Sequence, residues 1–165
     1  MNKGIKALVY TSMLAALIAV ATLFIQIPIP MDKGYCNLGD GLILAAGALL
    51  GPWTAAAAAA GSALADLVLG YALYAPATAV IKGLMGMMAG VLCNKSKVLW
   101  RRVLIMAAAE CLMVGGYFLF ETALYGAAAA ATSLFGNGCQ AIAGLAVGTV
   151  LWPMMERVRK MTACL

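Results

Sequence analysis

The chain has 165 residues, of which 65% are hydrophobic and 10% are charged, and its net charge is +5. Soluble domains carry about 25% charged residues, so this composition excludes an ordinary soluble protein and indicates an all-α integral membrane protein with one domain over residues 1–165. The basic residues stand at segment ends instead of along one stripe, so membrane topology explains them better than nucleic-acid binding does.

Apolar runs and chain breakers predict six transmembrane helices. The first is ended by Pro28 and Pro30, since proline cannot continue the helical hydrogen-bond ladder. The dipeptide Gly51-Pro52 separates the second from the third. A stretch of small residues, 126–136, is expected to connect the fifth to the sixth. The predicted helices cover residues 5–27, 38–50, 53–70, 75–93, 103–124 and 138–154.

Basic residues set the predicted orientation. Lysine and arginine gather at the N-terminus, at residues 95–102 and at the C-terminus. The positive-inside rule places such clusters in the cytoplasm. Six spans put all three there, whereas five spans leave one outside. We therefore predict six spans with both termini cytoplasmic, in the cytoplasmic membrane of a bacterial cell.

Polar residues inside the apolar segments concentrate near their outer ends. Such residues are costly in hydrocarbon and normally face a cavity or one another. Tyrosines at similar depth suit stacking on a flat ring. We expect an outward-facing pocket for a small molecule, built from Asp40, Asp66, Tyr71, Tyr74, Lys82, Tyr117, Glu121, Asn137 and Gln140. The alternative is that Asp66 and Lys82 only neutralise each other and that the tyrosines form an interfacial belt.

Glu110 is predicted to lie about two turns from the cytoplasmic end of the fifth segment, away from that group. It is expected to snorkel or to pair with Arg101 or Arg102, and an inner gate is the alternative. Cys36 and Cys139 both fall in predicted outer loops, where a disulfide between them stays open.

Small residues in the first segment, among them Thr11, Ala15 and Ala19, recur at four-residue spacing. A face of this kind lets two helices approach closely in lipid, either against a partner or within this protein.

Motifs for metal binding, cofactor binding or catalysis are not found in the sequence. The chain has no histidine, no C-x-x-C spacing, no phosphate-binding G-x-x-x-x-G-K-[ST] loop and no catalytic constellation, so we expect neither a metal or cofactor site nor an enzyme.

Short motifs in a fixed order resemble those of a known family. They are N-L-G-D-G-x-I at residues 37–43, G-P at 51–52, A-D-L-x-x-G-Y at 65–71, Y-A-P-A-T at 74–78, I-K-G at 81–83, G-Y-F-x-x-E at 116–121 and N-x-x-Q at 137–140. Together they resemble the substrate-binding S component of energy-coupling factor (ECF) vitamin transporters, nearest the hydroxymethylpyrimidine and pyridoxine-type branch.

The resemblance implies a six-helix subunit that captures a vitamin or precursor from outside. It implies docking on a transmembrane coupling subunit carried by two cytoplasmic ATPases, so that ATP is used by the partners and not by this chain. The A-x-x-x-A of the family's first helix matches Ala15 and Ala19 and implies partner contact there. The family's substrate position implicates Lys82, Tyr117, Glu121, Asn137 and Gln140 more than Asp66. The competing interpretations are a stand-alone proton-coupled secondary carrier and a structural membrane subunit.

Overall fold

The structure, a computed structural model, describes residues 3–28 and 35–162, with side chains described over 4–26 and 37–161. Its helices and strands follow in chain order: α1 (Lys3–Phe24), β1 (Gln26–Pro28), β2 (Tyr35–Asn37), α2 (Gly39–Leu50), α3 (Thr54–Val68), α4 (Ala75–Met88), α5 (Leu99–Tyr125) and α6 (Ala127–Thr162). The fold is helical, as predicted, apart from the two short strands.

Five stretches are long and apolar enough to cross a membrane, judged by length and composition. They are Gly4–Phe24, Gly39–Val68, Ala75–Cys93, Leu99–Tyr125 and Ala127–Met161. These stretches agree with a multi-pass membrane protein. The number of spans and the sidedness of the termini stay predictions, because the second stretch contains two helices.

The stretch Gly39–Val68 is a hairpin of α2 and α3. A 3₁₀ turn, Gly51–Trp53, separates the two helices, and Gly51 adopts a φ of 56°, which favours glycine. Asp40 and Asp66 line the same cavity, whereas a straight helix would separate them by about 39 Å at 1.5 Å per residue. The chain therefore reverses direction at Gly51-Pro52, where the sequence predicts a turn.

Helix α4 packs closely on this hairpin through glycines. A methyl group added to Gly86 would lie 2.7 Å from the carbonyl oxygen of Thr54, and one added to Gly90 would overlap the backbone of Gly51. After Met88 the helix continues as a π-helical turn, Ala89–Cys93, so helical structure covers the predicted 75–93. Close backbone contact of this kind is how helices associate in lipid.

The predicted connection between the last two helices is wrong. Residues 127–137 are helical, and α5 and α6 are joined through Gly126 alone, at a φ of 86°. The alanines at the start of α6 have the highest helix propensity, which a search for apolar spans does not weigh. The same helix accommodates Pro153 and reaches Thr162. Helix α5 also begins earlier than predicted, at Leu99.

The first predicted helix is too long at its C-terminal end. Helix α1 ends at Phe24, and the next residues form a strand that pairs antiparallel with β2, with Gln26 opposite Asn37. Pro28 lies in this strand, four residues after the helix has ended, so it does not end the helix, and Pro30 lies outside the described residues. The pairing holds Asn37 beside the C-terminal end of α1, where α2 begins.

Candidate ligand-binding site

A polar cavity of about 280 Å³ lies at one end of the bundle, called here the cavity end. Helices α1, α3 and α5 run toward this end, and α2, α4 and α6 begin there, so every helix contributes to its wall. The lining residues are Thr22, Asn37, Asp40, Ser62, Asp66, Tyr71, Tyr74, Thr78, Lys82, Tyr117, Glu121, Ser133, Asn137 and Gln140.

A chain of hydrogen bonds crosses the floor of the cavity. The Lys82 ammonium forms a buried ion pair with Oδ1 of Asp40, and Gln140 Nε2 donates to Oδ2 of Asp40 at 2.8 Å. Asn37 Nδ2 donates to Gln140 Oε1 at 3.0 Å. Both oxygens of Asp40 are thus satisfied, which a buried carboxylate requires.

The position of Asn37 is fixed by the start of α2. Its Oδ1 accepts the backbone N–H of Gly39 at 2.9 Å, so the side chain caps one of the free amides at the helix N-terminus. A side chain on Gly39 would overlap Oγ1 of Thr22. The N-L-G-D sequence therefore places the amide of Asn37 and the carboxylate of Asp40 where Gln140 bonds to both.

Aromatic groups form one side of the cavity. The Lys82 ammonium lies 5.5 Å from the centroid of the Tyr117 ring, and the Tyr117 hydroxyl is 3.0 Å from Oγ1 of Thr78. Tyr74 makes edge-to-face contacts with Tyr71 and Phe120, at centroid distances of 6.3 and 5.3 Å. Rings fixed in this way offer faces against which a planar ligand can stack.

Glu121 lies next to these rings, four residues after Tyr117 on α5, and is half-buried. Its Oε2 accepts a hydrogen bond from Ser133, and the Tyr74 hydroxyl lies 3.4 Å from its Oε1. Partial burial, together with Tyr125 and the Glu121 carboxylate, raises the pKa of the Tyr74 phenol above its ordinary value. Tyr74 therefore remains a neutral hydrogen-bond donor near neutral pH.

All nine residues predicted to form the pocket lie on the wall of this one cavity. Their role in binding stays a prediction. The alternative pairing of Asp66 with Lys82 is wrong, because the ion pair of Lys82 is with Asp40.

Sequence reasoning missed five lining residues, namely Thr22, Asn37, Ser62, Thr78 and Ser133. Three of them precede a predicted residue by four positions: Ser62 precedes Asp66, Thr78 precedes Lys82 and Ser133 precedes Asn137. Residues four apart share a helix face, so this spacing could have found them.

The predicted surroundings of Glu110 are also wrong. It does not lie near the helix ends that carry Arg101 and Arg102, and it is only 3% exposed, in contact with Gly144 of α6 and close to Asp40. Arg102 pairs instead with Glu156 at 3.2 Å. The predicted helix began at residue 103, whereas α5 begins at Leu99, so Glu110 lies one turn further from the helix start than predicted.

The two predicted docking residues of α1 are at least partly buried within the chain, and Ala15 packs against Gly61 of α3. Ala19 is 4% exposed, and the backbone of Ala15 lies so close to Gly61 that a side chain there would overlap it. In the isolated chain Ala19 is therefore not on a free surface, and partner contact at Ala15 and Ala19 stays a prediction. The Cys36 side chain lies outside the described residues, so the question of a disulfide with Cys139 stays open.

Taken together, these features define a class: a helical membrane protein with a polar, aromatic-walled cavity suited to a small solute. Over the described residues, no group of three or more Cys, Asp or Glu side chains could hold a metal ion. Sequence comparison then gives the family. The family model of the ECF-type riboflavin transporter S component matches residues 2–157, and the chain belongs to this family.

Individual relatives agree with this assignment. The thiamine precursor transporter HmpT of Lactococcus lactis subsp. cremoris (strain MG1363) is 34% identical, over 94% of this chain and 91% of that protein. An uncharacterized protein from the gap 3' region of Pyrococcus woesei is 36% identical, over 85% of this chain and 95% of its own length. The crystal structure of the S component for biotin from an ECF-type ABC transporter shares the fold, with a TM-score of 0.60, 20% identity, and coverage of 96% and 93%.

Proposed function

We propose that this chain captures a single-ring heteroaromatic vitamin or vitamin precursor from outside the cell, as the substrate-binding subunit of an ECF-type importer. The observation that carries the proposal is the convergence of donors, acceptors and tyrosines from all six helices on one cavity. Solute sites in proteins combine concave apolar walls with a few placed polar groups in this way. The ligands that we propose are hydroxymethylpyrimidine and pyridoxine-like compounds.

The size of the cavity supports a single ring. An apolar cavity of about 150 Å³ binds benzene, so about 280 Å³ accommodates one ring with a few substituents. A three-ring compound with a sugar-alcohol chain, such as riboflavin, needs considerably more space. The L. lactis relative is named as a transporter of a thiamine precursor, which agrees with a smaller ligand.

The charge of the cavity supports a donor-rich ligand. Its lining carries three carboxyl groups, on Asp40, Asp66 and Glu121, and one ammonium, on Lys82. Lys82 already has Asp40 as its partner, so an anionic ligand would meet an excess of negative charge. Amino and hydroxymethyl substituents, by contrast, can donate to Glu121 and to the Asn137 amide oxygen. An analogue without these donors would leave the acceptors of the protein unpaired, so the site should reject it.

We further propose six spans, with the cavity end outside and both termini in the cytoplasm. The helix ends opposite the cavity carry nine of the eleven basic residues, which the positive-inside rule assigns to the cytoplasmic side. The partners are a transmembrane coupling subunit and two cytoplasmic ATPases. Labelling of single-cysteine variants from outside the cell tests the orientation. Tyr71→Cys should react with a membrane-impermeant thiol reagent and Lys97→Cys should not, and the reverse result would contradict the proposal.

Binding is tested by titrating the purified protein with hydroxymethylpyrimidine, pyridoxine and riboflavin. We expect the single-ring compounds to bind and Glu121→Ala to weaken binding by about tenfold or more, since a hydrogen bond to a charged group is lost. Asn137→Ala should have a smaller effect of the same sign. Glu156→Ala, which removes a carboxylate at the far end, is the matched control. Unchanged affinity in Glu121→Ala and Asn137→Ala would remove both residues from the site.

Dependence on partners is tested by uptake into vesicles. We expect vesicles that contain this chain alone to show no accumulation driven by a pH gradient, and vesicles with the coupling subunit and ATPases to show uptake on addition of ATP. Gradient-driven uptake by the chain alone would contradict the proposal and favour a secondary carrier.

A further inference from the structure

Glu110 is a buried carboxyl group to which the site described above gives no role. It lies on the face of α5 that carries Tyr117, about 10 Å from Tyr117 along the helix axis at 1.5 Å per residue. Both of its oxygens are buried, and neither has a hydrogen-bond partner among the residues that the structure describes. Buried polar groups normally have partners, so an unpaired carboxyl group requires an explanation.

Charged and titratable groups approach Glu110 from several helices. Asp40 of α2 and Lys82 of α4 lie closest, with Tyr117 of α5 and Asp66 of α3 around the same ammonium. Helix α6 contributes Gly144, where a side chain would overlap Oε1 of Glu110 and lie 2.9 Å from Cβ of Asp40. The missing side chain of Gly144 thus leaves room for two carboxyl groups beside each other.

One cation, Lys82, lies near both carboxyl groups, but it pairs with Asp40 only. Lys82 and Gln140 occupy both oxygens of Asp40, whereas Glu110 has neither a cation nor a donor in direct contact within the described part of the chain. An ionised carboxylate at this depth without a partner is strongly unfavourable, and a protein avoids the cost by keeping the group protonated. A protonated, neutral Glu110 next to the ion pair of Lys82 and Asp40 fits these contacts.

We propose that Glu110 is a positioning residue that holds a proton in the empty protein and becomes the counter-ion of Lys82 when a ligand donor binds to Asp40. This inference rests on the proposed function, because it requires a ligand in the cavity. The Lys82 ammonium keeps its three hydrogens and moves from Asp40 to Glu110. The O–H bond of Glu110 breaks, its proton leaves to water, and Asp40 accepts the ligand's hydrogen bond.

The exchange predicts a coupling between binding and pH. One proton is released for each ligand bound, so affinity should increase by about tenfold per pH unit while Glu110 is protonated in the empty protein. Glu110→Gln, which has nearly the same shape but cannot ionise, leaves Lys82 on Asp40. We expect it to remove the pH dependence and to weaken binding by at least about tenfold.

The first test is calorimetry with hydroxymethylpyrimidine in two buffers of different ionisation enthalpy. The wild type and the control Glu156→Gln should each release about one proton per ligand, and Glu110→Gln should release none. Binding by the wild type without proton release overturns this inference alone and leaves the proposed function intact. Proton release that persists in Glu110→Gln also overturns it. A wild type that binds none of the single-ring compounds overturns both.

The second test needs no ligand. Infrared spectra of the empty wild type should show the C=O stretching band of a buried carboxylic acid, which Glu110→Gln should lack and Glu156→Gln should retain. The absence of this band from the wild type at neutral pH overturns the inference whether or not any variant folds.

Discussion

The two ends of the bundle both contain an ion pair, but the pairs lie in opposite surroundings. At the cavity end, the side chains of Lys82 and Asp40 are 5% and 1% exposed. At the other end, called here the basic end because nine lysines and arginines lie there, the side chains of Arg102 and Glu156 are 17% and 25% exposed. The two ion pairs therefore contribute differently to stability, because water screens the Arg102–Glu156 pair and not the buried Lys82–Asp40 pair.

Polar side chains also do different work at the two ends. At the basic end they join helix termini: Asn94 Nδ2 donates to the carbonyl oxygens of Gly47 and Gly90 at 2.6 and 2.9 Å, and Arg159 donates to Asn94 Oδ1 at 2.8 Å. At the cavity end they surround a space large enough for a solute. At the basic end, polar side chains therefore link different helices, whereas at the cavity end they line an open space.

The largest expected effect comes from breaking the buried pair. Lys82→Met leaves Asp40 without its cation, and removing one partner of a buried pair costs about 3–5 kcal/mol. We expect a large decrease in the melting temperature in detergent and loss of ligand binding. A variant as stable as the wild type would show that the cavity end hydrates Asp40 well, and the contrast between the two ends would fail.

The second effect concerns the close packing of α4 on the α2–α3 hairpin at the basic end. Gly90→Ala would place a methyl group against the backbone of Gly51. Overpacking of this kind costs about 1–3 kcal/mol. Gly115→Ala in α5 is the matched control, because nothing lies within 4 Å of the added methyl group. Thermal melting of both should show a loss for Gly90→Ala only, and equal melting temperatures would refute the close packing of α4 on the hairpin.

Local signals predicted much of this architecture. The turn at Gly51-Pro52 and the helix over 75–93 follow from chain breakers and apolar runs, which act within a few residues. The convergence of Asp40, Lys82 and Gln140 could also be expected, because polar residues in a membrane helix must face inward. The comparison with known proteins confirms the resemblance to the S components.

Other features depend on contacts between distant parts of the chain. The choice of Asp40 over Asp66 as the partner of Lys82 is decided by how α2 and α4 are placed, which helix periodicity does not contain. The position of Glu110 depends on the space left by Gly144, 34 residues away in sequence. The start of α6 was missed for a different reason, since its alanines predict a helix only when propensity is weighed beside hydropathy.

The smallest expected effect is at the exposed pair. Glu156→Gln removes the partner of Arg102, yet Arg102 still donates to the Ser96 carbonyl oxygen at 2.7 Å, and its guanidinium lies 5.4 Å from the Trp152 ring centroid. Because partly exposed pairs contribute about 0–1 kcal/mol, we expect at most a slight decrease in the melting temperature, smaller still at high salt, and unchanged ligand affinity. A decrease as large as that of Lys82→Met would mean that the basic end is as dry as the cavity end, and that position in the bundle does not set the value of an ion pair.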